Sequence, residues 1–212
     1  FITVLSGAYG PQYINNFIYY ENTGNEFNPQ FEQVSQNFLN TFDFFTYSVP
    51  ELADIDNDGD LDLFIGTEVD YSVFPFRGRI KYFNNIGSAQ NPVWELANPE
   101  FLGVDIGVNL APEFADIDND GDLDAFVGDW NGFIKYFENA GTAENFEFEY
   151  IGNFEEIDLS GMAVPEFEDM DNDNDLDLFI GDFAGNIIYY ENIGTAEEYI
   201  FSETSDILQN IN

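Results

Sequence analysis

Histidine and cysteine are both missing from these 212 residues, and only four residues are basic. Without cysteine there is no disulfide framework, thiolate nucleophile or Cys/His zinc site. Without histidine there is no Ser-His-Asp triad and no imidazole base. Four Lys and Arg against 42 Asp and Glu leave a net charge of −38. Such a chain cannot replace the counterions around phosphates, which excludes nucleic acid as a partner, and anionic membrane surfaces repel it. No apolar run approaches the roughly 18 residues that span a bilayer, so membrane insertion is not expected. The sequence starts at Phe1 with no basic-then-apolar leader before it, and we expect a processed protein or a piece of a longer one.

What is present argues for a folded chain. Hydrophobic residues make up 44%, with 24 Phe, 12 Tyr and 2 Trp. That apolar surface is enough to offset the entropy of ordering one or two domains despite the charge.

An internal repeat organises the chain. The run Asp54-Ile55-Asp56-Asn57-Asp58-Gly59-Asp60-Leu61-Asp62 recurs from Asp116 to Asp124 and, with Asn174 in place of glycine, from Asp169 to Asp177. A second marker keeps phase with it: Tyr82-Phe83-Asn84-Asn85-Ile86-Gly87, then Tyr136 to Gly141, then Tyr189 to Gly194. A fourth copy, Tyr19 to Gly24, has no acidic run before it. Each unit reads as four short strands separated by turn signals. In the best-defined unit these are Ala111–Ala115, Leu123–Val127 closed by Gly128, Phe133–Phe137, and Phe146–Ile151. The runs are nearly continuously apolar, which predicts strands covered on both faces, and stacked copies must supply that cover.

The expected fold is therefore all-β, a β-propeller of four-stranded antiparallel blades. Residues 1–47 form a partial blade lacking its first strand, and 48–110 a blade with a long hairpin insertion. Residues 111–162 and 163–212 are regular blades. From second-strand glycine to tyrosine marker the count is 8 residues for both Gly128 to Tyr136 and Gly181 to Tyr189, 12 for Gly7 to Tyr19, and 16 for Gly66 to Tyr82. The longest insertion, Thr67 to Arg79, holds Tyr71, Phe74, Phe76, Arg77 and Arg79.

Carboxylates at positions 1, 3 and 5 of a tight loop point to one centre and repel unless a cation lies between them. Oxygen ligands at that density suit Ca2+, which takes 6–8 of them, better than Mg2+ with its small octahedral shell. We assign side-chain oxygens of Asp116, Asp118 and Asp120, the backbone carbonyl of Asp122, and both oxygens of Asp124. The matching sets are Asp54, Asp56, Asp58, Asp60 and Asp62, and Asp169, Asp171, Asp173, Asp175 and Asp177. Position 6 must turn back sharply, which Gly59 and Gly121 do without strain and Asn174 tolerates, so the last site is expected to be the weakest. An EF-hand is excluded, because position 12 is Ile65, Val127 or Ile180 rather than a carboxylate.

The acidic loop, the preceding Val49-Pro50, Ala111-Pro112 and Val164-Pro165, and the following Phe64 to Gly66, Phe126 to Gly128 and Phe179 to Gly181 resemble FG-GAP/VCBS repeats. These are the units of the integrin α-subunit propeller and of many secreted microbial proteins. The resemblance implies calcium in the loop between a blade's first and second strands, and seven blades in a closed ring, so further blades or domains of a longer chain are expected. It departs at Asn174 and in the incomplete first unit.

Sites of this kind suit millimolar calcium, which implies an extracellular, secreted or cell-surface protein. The expected role is a calcium-braced binding or adhesion module for a protein or cell-surface polymer, with Tyr71, Phe74, Phe76, Arg77 and Arg79 as candidate partner-binding residues. The alternative is a glycan-binding lectin. A carbohydrate-active enzyme is the least favoured reading, because no carboxylate pair stands out from the acidic background and no catalytic residue is assigned.

Overall fold

Short runs of Phe, Ile, Val and Tyr, ended by Gly, Asn or Asp, become strands joined by tight turns. The computed structural model describes residues 2–4, 17–25, 27–38, 48–70, 74, 76–103, 106–155, 157, 159 and 161–204. Among these residues there is no helix, and the strands form four antiparallel sheets in simple up-and-down order. The first sheet has three strands: β1 (Ile2–Val4), β2 (Phe17–Asn22) and β3 (Phe31–Phe38). The second contains β4 (Val49–Ala53), β5 (Asp62–Gly66), β6 (Ile80–Asn85) and β7 (Trp94–Phe101). The third contains β8 (Ala111–Ala115), β9 (Asp124–Gly128), β10 (Ile134–Asn139) and β11 (Phe148–Asn153). The fourth contains β12 (Ala163–Glu168), β13 (Asp177–Asp182), β14 (Ile187–Asn192) and β15 (Phe201–Thr204).

The three complete sheets share one register. Phe64, Phe126 and Phe179 each lie between a glutamate on the first strand and a tyrosine on the third, as in Glu51, Phe64 and Tyr82. Phe64 stacks on Tyr82 with centroids 4.9 Å apart, and Phe126 on Tyr136 at 5.1 Å. The second strand of the third sheet starts one residue later than the sequence suggests, because Asp124 pairs with Ala115 and joins the ladder. The fourth strand starts two residues later and runs to Asn153, with a register shift at Tyr136/Phe137.

The cores lie between sheets. Ala53, Phe64, Ile80 and Phe101 of the second sheet close on Leu110, Ala125, Val127 and Phe137 of the third. Phe126, Ile134 and Phe154 of the third close on Ala163, Phe167, Leu178 and Ile180 of the fourth. Second-strand glycines set the approach. A Cβ on Gly66 would sit 2.1 Å from the Leu110 carbonyl oxygen, and one on Gly128 the same distance from that of Ala163. Among the described residues nothing equivalent covers the far face of the fourth sheet. Ile187 there is 57% exposed, whereas its counterparts Ile80 and Ile134 are fully buried.

Each third strand ends in an asparagine that folds the next turn. Asn139 Oδ1 accepts from the N–H of Gly141 (3.1 Å) and of Glu147 (2.8 Å), and Asn22, Asn85 and Asn192 repeat the pattern. Asn139→Ala removes an acceptor from two backbone donors. It is expected to lower unfolding free energy by about 1–3 kcal/mol, read as a fall in the urea midpoint at unchanged slope.

Candidate metal centres

Each complete sheet passes from first to second strand through an eight-residue acidic loop, and the ninth residue of the run opens the second strand. The backbone enters the left-handed region twice per loop: at Asn57, Asn119 and Asn172 (φ 54°, 57° and 65°), and at Gly59, Gly121 and Asn174 (φ 92°, 97° and 74°). The second bend follows from the sequence reading; the first was not anticipated. Its signal was the asparagine at position 4 of every copy, since Asn visits this region more readily than most residues.

The first aspartate ties the loop together. Asp54 Oδ1 accepts from the Asp58 N–H and Oδ2 from the Gly59 N–H, both at 3.0 Å, and Asp116 does the same with Asp120 and Gly121 at 3.1 Å. Asp169 accepts from Asn172, Asp173 and Asn174. The fifth residue then accepts from the seventh: Asp58 from the Asp60 N–H, Asp120 from Asp122, and Asp173 from Asp175, each at 3.1 Å.

This folding brings carboxylate oxygens of Asp54, Asp56 and Asp58 within 4.8 Å of one another. The same holds for Asp116, Asp118 and Asp120, and for Asp169, Asp171 and Asp173. The sequence-predicted positions 1, 3 and 5 therefore converge in all three loops. Oδ1 of Asp56, of Asp60 and of Asp175 are shut away from solvent without a hydrogen-bond partner. An unpaired buried carboxylate is costly unless a cation or a proton meets it. Burial first, then the neighbouring carboxylates, push Asp56, Asp60, Asp118, Asp122 and Asp171 above the ordinary range, and Asp175 to about 6. An all-oxygen donor set with orphaned oxygens fits a hard metal ion, and the trios can hold one.

The ninth aspartates stand outside the converging trios, at the start of the second strands. Asp62 Oδ1 accepts from the Asn85 N–H (2.7 Å) and Oδ2 from the Tyr82 hydroxyl (3.1 Å). Asp124 is held by Asn139 and Tyr136, and Asp177 by Asn192 and Tyr189. The oxygens of Asp62 and Asp124 each keep a second acceptor lone pair, whereas Asp177 Oδ2 also accepts from the Met170 N–H at 3.2 Å. Burial raises Asp62 and Asp124 to about 7, against the lowering effect of these donors. The Tyr and Asn of the third-strand marker thus anchor the loop's last carboxylate, a role that sequence reasoning missed although the two markers run in phase. The third trio is the most open: Asp171 is exposed, while Asp56 and Asp118 are half-buried.

No family model matches the chain, and neither the curated proteins nor the solved structures give a match.

The hairpins between second and third strands lie at the other end of each sheet from the acidic loops. In the long one, Asp70 bridges Arg77 through the backbone. Phe74 (84% exposed) meets Phe76 (57% exposed) edge-to-face at 5.8 Å. Arg77 is half-buried beside them, and Tyr71 lies outside the described residues. Arg79 turns inward: it is 4% exposed and ion-pairs with Asp70 and Glu100, while Lys81 Nζ reaches Asp70 at 2.7 Å. Its charge braces the insertion, because a guanidinium in an apolar interior is held only by carboxylates.

The short hairpins add a pair that the sequence reading passed over. Trp130 and Phe183 occupy the same turn position in consecutive sheets and meet edge-to-face at 5.2 Å, both exposed. Trp130 is fixed by its own backbone, donating to Val108 O and accepting from the Met162 N–H, each at 2.9 Å. The available signal was an aromatic directly after the turn aspartate in both Asp129-Trp130 and Asp182-Phe183.

Proposed function

We propose that the chain is a calcium-stabilised extracellular binding module. Its sheets act as blades of an FG-GAP/VCBS-type propeller, and it contacts a protein or cell-surface polymer rather than transforming one. The observation that carries this reading is the repetition of one converging aspartate trio in three successive sheets, with buried oxygens that lack donors in the first and third loops. Six-fold to eight-fold oxygen coordination suits Ca2+, and loops this exposed suit millimolar rather than cytosolic concentrations. Radial packing is supported by the glycine seats. The first strand of the following sheet lies against Gly66 and Gly128, whereas among the described residues a Cβ on Gly181 would meet nothing closer than 3.8 Å. Gly181 is the same seat with no described residue of another sheet in it, and another blade fits there.

Partner contact is assigned to the hairpin end, where Phe74, Phe76, Trp130 and Phe183 are exposed. The pinned Trp130–Phe183 pair favours a second reading, a lectin, because a rigid aromatic face stacks on a sugar ring at little entropic cost.

Isothermal titration of the chelated protein with CaCl2 is expected to show three sites, the one at Asp169–Asp177 binding last. No heat and no change in stability up to 10 mM would sink the calcium reading. A glycan array probed with millimolar calcium and with EGTA separates the two partner classes. Retention on a defined sugar that Trp130→Ala abolishes selects the lectin, and no retention by the folded protein selects a protein partner.

A further inference from the structure

The hairpins that join second to third strands hold a lysine against an aspartate in two sheets and not in the last. In the third sheet Lys135 Nζ lies 3.0 Å from Asp129 Oδ2 and 5.6 Å from the centre of the Phe133 ring. In the second, Lys81 reaches Asp70 of the longer hairpin at 2.7 Å. Lys81, Lys135 and Ile188 share one register position, opposite Ile65, Val127 and Ile180 and directly before the marker tyrosine. The fourth sheet thus keeps a carboxylate after its second-strand glycine, Asp182, and has Ile188 where the others carry the cation.

Amides hold Asp182 instead. Its Oδ1 accepts from the Asn186 N–H at 2.8 Å and its Oδ2 from Asn186 Nδ2 at 2.7 Å. These bonds hold the carboxyl below the ordinary range, so it is ionised at neutral pH. Among the described residues no Lys or Arg pairs with it, and it is partly open to solvent, whereas Asp129 is 1% exposed.

Asp182 leads directly into the exposed aromatic pair. The rings of Phe183 and Trp130 stand 71° apart, and Gly161 lies at the foot of both. A Cβ on Gly161 would meet Phe183 Cβ and the Trp130 carbonyl oxygen at 3.8 Å and nothing nearer, so no side chain fills the space between them. Aromatic faces attract ammonium and guanidinium groups, and an ionised carboxylate gives such groups a charge-assisted hydrogen bond. A neutral sugar would use the rings and leave Asp182 uncompensated on a chain of net charge −38. A long basic side chain uses both, its alkyl stem along the rings and its charged head at the carboxylate. We propose that Asp182, Phe183 and Trp130 receive a Lys or Arg side chain of a protein partner, whose cation takes the place that Lys135 fills in the preceding sheet. This rests on the protein-contact reading above and names the chemistry of that contact.

The indole N–H signals of Trp94 and Trp130, the two tryptophans of the chain, report the site in proton–nitrogen NMR. The calcium-loaded protein is titrated with a capped Gly-Gly-Arg-Gly-Gly peptide and with the same peptide carrying citrulline, which keeps the shape of arginine without its charge. A saturable shift of the Trp130 signal is expected with arginine, and about tenfold weaker binding with citrulline. Asp182→Asn is expected to weaken arginine binding about tenfold, and Phe183→Ala about threefold. Ile188→Lys restores the lysine of the other sheets and is expected to abolish the response, while its melting temperature stays within about 2 °C of wild type. Equal binding of the two peptides, or full affinity in Asp182→Asn or Ile188→Lys, overturns the proposal. A Trp130 shift with glucosamine oligomers and none with the arginine peptide also overturns it and selects the lectin. Silence from every probe overturns it too, and leaves the calcium-stabilised module to be judged by its own calcium titration.

Discussion

Chelation of the calcium-loaded protein with EGTA is expected to lower its melting temperature by about 15–30 °C. Each cation that binds only the folded state contributes RT ln(1 + [Ca]/Kd), about 2.7 kcal/mol at a hundredfold excess over Kd. Three sites give about 8 kcal/mol, comparable with the whole stability of an ordinary domain. At about 2–4 °C per kcal/mol for a chain of this size, the shift follows. Calorimetry in 5 mM Ca2+, 5 mM Mg2+ and EGTA checks both the size and the preference of these oxygen-only trios for the larger ion. A shift under 5 °C, or equal rescue by Mg2+, would defeat it. Acid should partly replace the metal. Burial holds Asp62 and Asp124 at about 7 and Asp175 at about 6, so in the chelated protein their stabilising contribution is lost as pH rises through those values and returns towards pH 5. Apo stability is expected to increase on acidification from pH 8 to 5.

The metal trios were legible because local sequence alone forms them: alternate aspartates around two left-handed bends need no distant partner. Strand positions were legible to within two residues for the same reason, apolar runs being closed by Gly or Asn. Non-local features were harder to read. Nothing near Asp62 in sequence announces that the Tyr82 hydroxyl and the Asn85 N–H, some twenty residues later, hold its carboxylate. Arg79 read as a surface cation because its insertion is long and aromatic. Asp70 and Glu100 draw it inward, and that pairing depends on β7 lying beside β6. Trp130 and Phe183 came from separate units and became a pair only when the third and fourth sheets stacked. The missing cation at Asp182 likewise shows only in register, where Ile188 falls on the position of Lys81 and Lys135.

Gly128→Ala is expected to cost about 3 kcal/mol or more, or to prevent folding, whereas Gly181→Ala changes stability by less than about 0.5 kcal/mol. Both glycines sit in second strands, so secondary-structure preference predicts the same mild effect for each. What differs is the neighbour. A methyl group at 128 would lie 2.1 Å from the Ala163 carbonyl oxygen and 2.9 Å from Pro165 Cδ, backbone and ring that cannot turn aside. Relief requires the fourth sheet to back away from the third, opening the core of Phe126, Ile134, Phe167 and Leu178 that their contact closes. Equal, small effects in urea unfolding would refute sheet-to-sheet packing as the source of stability. Equal, large effects would mean that a strand already occupies the Gly181 seat in solution. Ile187 would then lose its exposure to solvent, as Ile80 and Ile134 have done at the two closed interfaces.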